Sequence, residues 1–209
     1  MKYVERILEK LKEKEAVEQK FRKLDEKIIS TLCLKDFFEQ LISGMISIFD
    51  TPYIWVTVIE ETRLAELVKK AEQTLTLKAR AGFIPEYEYS RLIPDPAAPA
   101  RVSETEAFSL FFPESGIYPV KSMTLCPLKI DGETVGTLNF GDLSPSRFAS
   151  AEERQILAGA ALKISLCLSN VAAHEELNLI AGSDARNNQS GRLYPIDSGR
   201  QKNPAKQTA

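Results

Sequence analysis

The sequence predicts an α+β fold. Segments with apolar residues spaced by three and four stand at both ends of the chain, at residues 1–49 and 151–177. Between them lie short runs rich in β-branched and aromatic residues, the strand signature. Two of those runs are separated only by Asp131-Gly132, a two-residue hairpin turn.

The first segment, residues 1 to about 30, is dense in Lys and Glu and has no Gly or Pro. Val4, Leu8 and Leu11 form one narrow seam; Val17, Phe21, Leu24 and Ile28 form a second after the phase slips at Lys14 and Glu15. So narrow a seam suits a two-stranded coiled coil with a second copy, or a helix laid on its own domain. Residues 34–49 form a second helix with a wider apolar face: Phe37, Phe38, Leu41, Ile42, Met45, Ile46 and Phe49. Asp50-Thr51-Pro52 stops it, because Pro disfavours helix in the residue before it.

Residues 53–59 read as a strand, and residues 60–73 as helical or irregular. Residues 74–80 alternate and predict a second strand. In the first strand Ile54, Val56 and Val58 share the more apolar face and are expected to meet the helices, which leaves Trp55 on the other side. A long connection from Gly82 to Pro119 carries most of the prolines and one short helical stretch, Ser103 to Phe112. A connection of this length is usually functional or disordered. Residues 122–130 and 133–140 are the third and fourth strands. Ser150 and Glu153 form a capping box, with the Ser hydroxyl accepting from the helix amides and the Glu reaching back. The helix it opens runs to about 177. From about 179 to 209 the polar, Gly- and Pro-containing composition predicts disorder.

Composition narrows the function classes. With 27 Lys and Arg against 29 Asp and Glu, no basic excess points to nucleic acid. The 209 residues suit one domain plus extensions, large enough to bury a core without disulfides or metal. Cys33, Cys126 and Cys167 are odd in number, far apart and without a CxxC pair, so they read as buried thiols rather than zinc ligands or disulfides. The N-terminus is charged from the start and unlike a signal peptide. No stretch approaches the roughly 18 uncharged apolar residues of a membrane span. The expected location is the cytoplasm.

The run from Ser122 to Val171 contains Pro127-Leu128, Asp131-Gly132, Val135-Gly136-Thr137-Leu138, Phe148, Glu152-Glu153 and Asn170. In that order and spacing it resembles the C-terminal half of a GAF domain, and the charged leading helix resembles a bacterial GAF-like family. The resemblance implies a central antiparallel sheet of five or six strands with N- and C-terminal helices on one face. It also implies a ligand pocket on the other face, under the long connection. Asn139, Phe148, Glu152 and Glu153 fall near the pattern of cyclic-nucleotide-binding members, with Phe140 where that pattern has Lys and Glu152 where it has Asp. The connection 82–119 has no cysteine, which weighs against methionine sulfoxide reduction and bilin attachment. Residues 174–192 resemble the linker that leads from sensor domains into diguanylate cyclases.

Expected, then, are an N-terminal helix at 1–30, a GAF-like domain at 31–178 and a tail at 179–209. The leading reading is a non-catalytic, homodimeric signalling module without cofactor or metal, with neither nucleic acid nor membrane as partner. A small ligand is expected at Trp55, Arg80, Phe108, Phe111, Tyr118 and Leu125, where Arg80 would anchor an anion and the aromatics cover an apolar body. The other reading is a structural dimerisation protein whose pocket is vestigial and filled. His174, the one histidine, lies late in the last helix, a poor place for a catalytic pair.

Overall fold

The computed structural model describes residues 2–49, 53–70, 75–93, 95, 99–102, 105–112 and 120–190. Among these, the side chains of 2–11, 13–14, 49, 102, 105–107 and 182–190 fall outside the description. The chain divides into two units, residues 1–175 and 176–209. The second is helical as far as Ser190 and exposes Leu177, Leu179 and Ile180. The first holds the sheet and its core.

Five described strands form one sheet: β1 (Ile54–Ile59), β2 (Ala81–Ile84), β3 (Ala100–Val102), β4 (Ser122–Ile130) and β5 (Glu133–Asp142). Their order is β2-β1-β5-β4-β3. β1 and β2 are parallel, and every other pair is antiparallel. The fold is therefore α+β, but the sheet is mixed rather than antiparallel throughout. The cause is the crossover from β1 to β2. It carries α3 (Arg63–Lys70) and α4 (Leu75–Arg80), and so returns the chain in the same direction. Residues 75–80, expected as a strand, are helical, and the strand follows at Ala81. Leu77 is buried while Leu75 is 86% exposed, so their alternation never described one buried face.

The hairpin between β4 and β5 forms as expected. Asp131 and Gly132 have φ of 51° and 90°, the left-handed pair that a two-residue turn demands. Gly136 is required for a different reason. A Cβ there would lie 2.2 Å from the Thr57 carbonyl oxygen, so β5 could not approach β1 with any larger residue.

The helix face of the sheet is built by α1 (Lys2–Ile28), α2 (Leu34–Phe49) and α7 (Ala151–Ser190). Phe37, Phe38, Leu41, Ile164 and Leu168 pack in one cluster with Ile54, Val56, Val58 and Leu138. The expected orientation of β1 is the observed one. Leu24 and Ile28 are each 1% exposed in this cluster, and Phe21 packs against it. That half of the α1 seam is thus occupied by its own domain and is not available to a second copy. The Glu175 carboxylate accepts from the Leu34 amide at 2.8 Å and caps α2 from α7.

Four further details differ from the sequence reading. At the start of α7 the Ser150 hydroxyl accepts from the Glu153 amide at 3.0 Å, but Glu153 reaches back to the Phe148 amide, also at 3.0 Å. The box reaches two residues further back than Ser150, to Phe148, whose φ of 62° turns the chain toward the helix. Helix α7 continues past 177 to Ser190, and residues 191–209 lie outside the described ones. Its stretch Ala151–Ala181 is long and apolar enough to cross a bilayer by composition, although Ala160, Ala161, Ile164, Leu168 and Val171 on one side lie in the domain core. Of the thiols only Cys126 is fully buried; Cys33 and Cys167 are partly exposed. Burial pushes the Cys126 thiol up to about 12.

Candidate functional site: the aromatic face of the sheet

Opposite the helices, the sheet presents Trp55 and Thr57 from β1, Thr137 and Asn139 from β5, and Met123 and Leu125 from β4. Register places Trp55, Asn139, Leu125 and Ala100 in one row across four strands. Two short helices from the connection cover that row. Helix α5 (Glu86–Leu92) contributes the buried Tyr89, and α6 (Thr105–Phe111) contributes Phe108 and Phe111, with Phe112 just after it. The expected single helix in this connection is joined by β2, α5 and β3, which short irregular stretches between prolines do not announce.

Four of the six expected site residues meet here: Trp55, Phe108, Phe111 and Leu125 belong to one buried cluster. Arg80 is close by, with its guanidinium carbon 5.8 Å from the centre of the Trp55 ring and its Nη1 donating to the Ile54 carbonyl at 3.3 Å. It arrives from the end of α4 and not from a neighbouring strand, so its reach toward the face is along the Trp55 ring. Tyr118 lies outside the described residues. Trp55 and Phe112 contact each other with centroids 5.5 Å apart and planes tilted by 44°.

The buried polar groups of this face are mostly satisfied. Asn139 donates through Nδ2 to the Thr57 hydroxyl at 2.7 Å and to the Phe111 carbonyl at 2.8 Å. Its Oδ1 accepts from the Thr137 hydroxyl at 2.6 Å. Thr124 donates to the Ala100 carbonyl at 3.2 Å. Asn139 thus spends its amide internally, and Glu153 and Phe148 are spent on the start of α7. Of the cyclic-nucleotide pattern these residues approach, Asn139 and Glu153 are thus already engaged within the domain. The Thr57–Thr137–Asn139 group went unnoticed as a unit in the sequence, although alternation along β1 and β5 puts all three on the Trp55 side.

Two groups on this face stand apart. Trp55 Nε1 and Tyr89 Oη are buried and have no hydrogen-bond partner among the described residues. An unpaired buried donor costs about 1–3 kcal/mol, so native structures rarely leave one without a reason. Burial also pushes the Tyr89 hydroxyl up to about 12, keeping it protonated and a donor through the physiological range. The face offers two donors, stacked aromatic surface and a guanidinium, which is chemistry for holding an acceptor-bearing apolar molecule.

A second concavity, of about 530 Å³, runs between the free edge of β4 and α7, lined by Pro99, Pro127, Lys129, Leu162, Ser165 and Leu166. Beyond Leu125 the strand has no β3 neighbour, and its outward amides would be open to a foreign strand. Pro127 has none, the Lys129 amide donates to the Ser165 hydroxyl at 3.0 Å, and the Asp131 amide donates to the Ser169 hydroxyl at 3.1 Å. The edge is closed to strand addition.

No family model and no curated protein matches the chain.

Proposed function

We propose that this protein is a non-catalytic, GAF-type sensory module of the cytoplasm that reads a small molecule at its aromatic face. The observation that carries the reading is a pair of buried donors, Trp55 Nε1 and Tyr89 Oη, without a partner among the described residues, in a layer whose other buried polar side chains are paired. A ligand with hydrogen-bond acceptors on an apolar body would supply what these donors lack, and Arg80 beside Trp55 favours an anionic group. Trp55 is the one tryptophan, so its emission reports the site without ambiguity. A library of nucleotides, amino acids and aromatic carboxylates should contain a compound that shifts Trp55 emission, with the shift weakened in Arg80→Ala. A library that leaves Trp55 unmoved ends the sensory reading.

The second reading, a dimerisation module with a filled face, has its own supporting observation. The outer side of α7 exposes Leu162 at 63% and Leu166 at 60%, flanked by Gly159 and Ala173. Two adjacent leucines between small residues fit a helix–helix contact with a second copy. With Leu24 and Ile28 consumed by the core, α7 is where a homodimer would form. Leu162→Lys with Leu166→Lys should convert a dimer to monomer in sedimentation without lowering the melting temperature. A wild-type protein monomeric at tens of micromolar removes this reading.

A further inference from the structure

Strands β3 and β4 are antiparallel neighbours at one edge of the sheet, a pair that a two- to five-residue turn can join. Instead the chain leaves β3 at Val102 and re-enters β4 only at Ser122. On the way α6 covers Trp55 on β1, with β4 and β5 lying between the edge strand and β1 in the sheet order. Topology does not require that excursion. The helix it carries has 7 residues, too short to be stable by itself, so α6 holds its shape only while docked.

Docking has an apolar part and a polar part. Phe108, Phe111 and Phe112 lie in the aromatic layer. The polar tie is the Asn139 Nδ2 bond to the Phe111 carbonyl, at the last turn of the helix. Asn139 is itself aimed by Thr57 and Thr137, all three side chains being 0–1% exposed. Three buried polar side chains are an expensive way to fill a core layer, since apolar residues of similar volume would hold it at least as well. What the arrangement adds is a bond of defined geometry to a single backbone oxygen. In the same buried cluster as the strap lie Trp55, against Phe112, and Tyr89, whose Nε1 and Oη have no partner among the described residues.

We infer that α6 is a strap that opens as a unit, with Asn139 as the positioning residue that latches it shut through the Phe111 carbonyl. Opening exposes the Trp55 and Tyr89 donors while the sheet and the helix face stay folded. The inference takes its purpose from the sensory reading, because an opening strap gives a ligand its route to those donors. Its test needs no ligand, so a failed ligand screen leaves it standing and its own failure leaves the screen meaningful.

The experiment combines acrylamide quenching of Trp55 with amide hydrogen exchange on the full chain. In the wild type, α6 amides should exchange faster than those of β4 and β5, and Trp55 should be weakly quenched. Asn139→Ala removes the latch, and Phe108→Ala removes an apolar anchor without touching the polar triad. Each should raise the quenching constant several-fold and speed α6 exchange, while β4–β5 protection stays within twofold of wild type. Thr57→Val, which removes one of the two groups that aim Asn139 but leaves the Phe111 bond, should do the same to a smaller extent than Asn139→Ala. If α6 exchanges in step with β4 and β5 in the wild type, or if both alanine variants lose protection across the whole sheet, α6 is ordinary core and the strap is refuted. Unchanged quenching in both variants refutes it equally.

Discussion

The two faces of the sheet are buried to the same depth and built from different chemistry. On the helix side, Ile54, Val56, Val58, Leu128 and Leu138 meet Phe37, Phe38, Leu41 and Leu168, a layer with scarcely a polar atom in it. On the other side Thr57, Thr124, Thr137 and Asn139 are interleaved with aromatics, and two donors have no partner among the described residues. Hydrophobic burial alone is non-directional and accounts for the first layer. The second layer contains bonds whose geometry must be met, and it is closed by short helices rather than long ones. Non-directional packing is concentrated on one face and directional hydrogen bonding on the other.

The sharpest way to break this comparison is to cut into each layer in turn. Phe37→Ala empties a fully buried position on the helix face and should cost about 3–5 kcal/mol, with one cooperative urea transition shifted for all probes. A loss confined to the aromatic side would show that the two layers are not divided as described. Next in size is a reciprocal exchange of polarity on β1. Val56→Thr places a hydroxyl in the apolar layer and should cost about 1–3 kcal/mol. Thr57→Val removes the acceptor of one Asn139 hydrogen and should cost a similar amount, about 1–3 kcal/mol. Urea midpoints that moved for only one of the two would mean that the faces do not differ in kind.

A smaller effect bears on the orphaned donors. Tyr89→Phe removes a buried hydroxyl that lacks a partner among the described residues, and without ligand it should leave stability unchanged or raise it by about 1 kcal/mol. A loss above 1 kcal/mol would mean that the hydroxyl is bonded after all. The same variant alters the alkaline limb. Tyr89 folds at about 12 against an ordinary value near 10, so the unfolded chain releases its proton first. Its contribution is fully present below pH 10 and is lost as pH rises from about 10 to 12, at about 1.4 kcal/mol per pH unit. Cys126, raised to about 12 from 9, begins the same loss near pH 9. Urea titrations should therefore show Cys126→Ala flattening the slope from pH 9 and Tyr89→Phe flattening it only from pH 10. A slope left unchanged by either substitution would mean that the group concerned is not raised in the folded chain.

The legible parts of the fold were those where one local signal sufficed. The α2 face, the Asp131-Gly132 turn, β4 and β5, and the Ser150 cap follow from periodicity and turn chemistry within a few residues of each position. The side to which Trp55 turns also followed, because strand alternation is fixed and Ile54, Val56 and Val58 make the more apolar set. Residues 74–80 misled because so short a run with Leu75 and Leu77 fits a strand and a short helix alike. The Phe108 and Phe111 positions were readable as aromatic, but nothing local placed them over β1 and not over the edge strand from which their segment departs.

By itself the sequence determined the α+β class, the helices at either end and the orientation of the first strand, because each depends on spacing along the chain and on the chemistry of neighbouring residues. Only the tertiary structure decided that β2 runs parallel to β1, that Leu24 and Ile28 serve the core of their own domain, and that Asn139 bonds the Phe111 carbonyl 28 residues before it in the chain. Those outcomes are settled by contacts between segments remote in sequence, where the free energy of closing a loop is set against what the joined surfaces gain. A pattern of side chains within one segment carries no record of that balance.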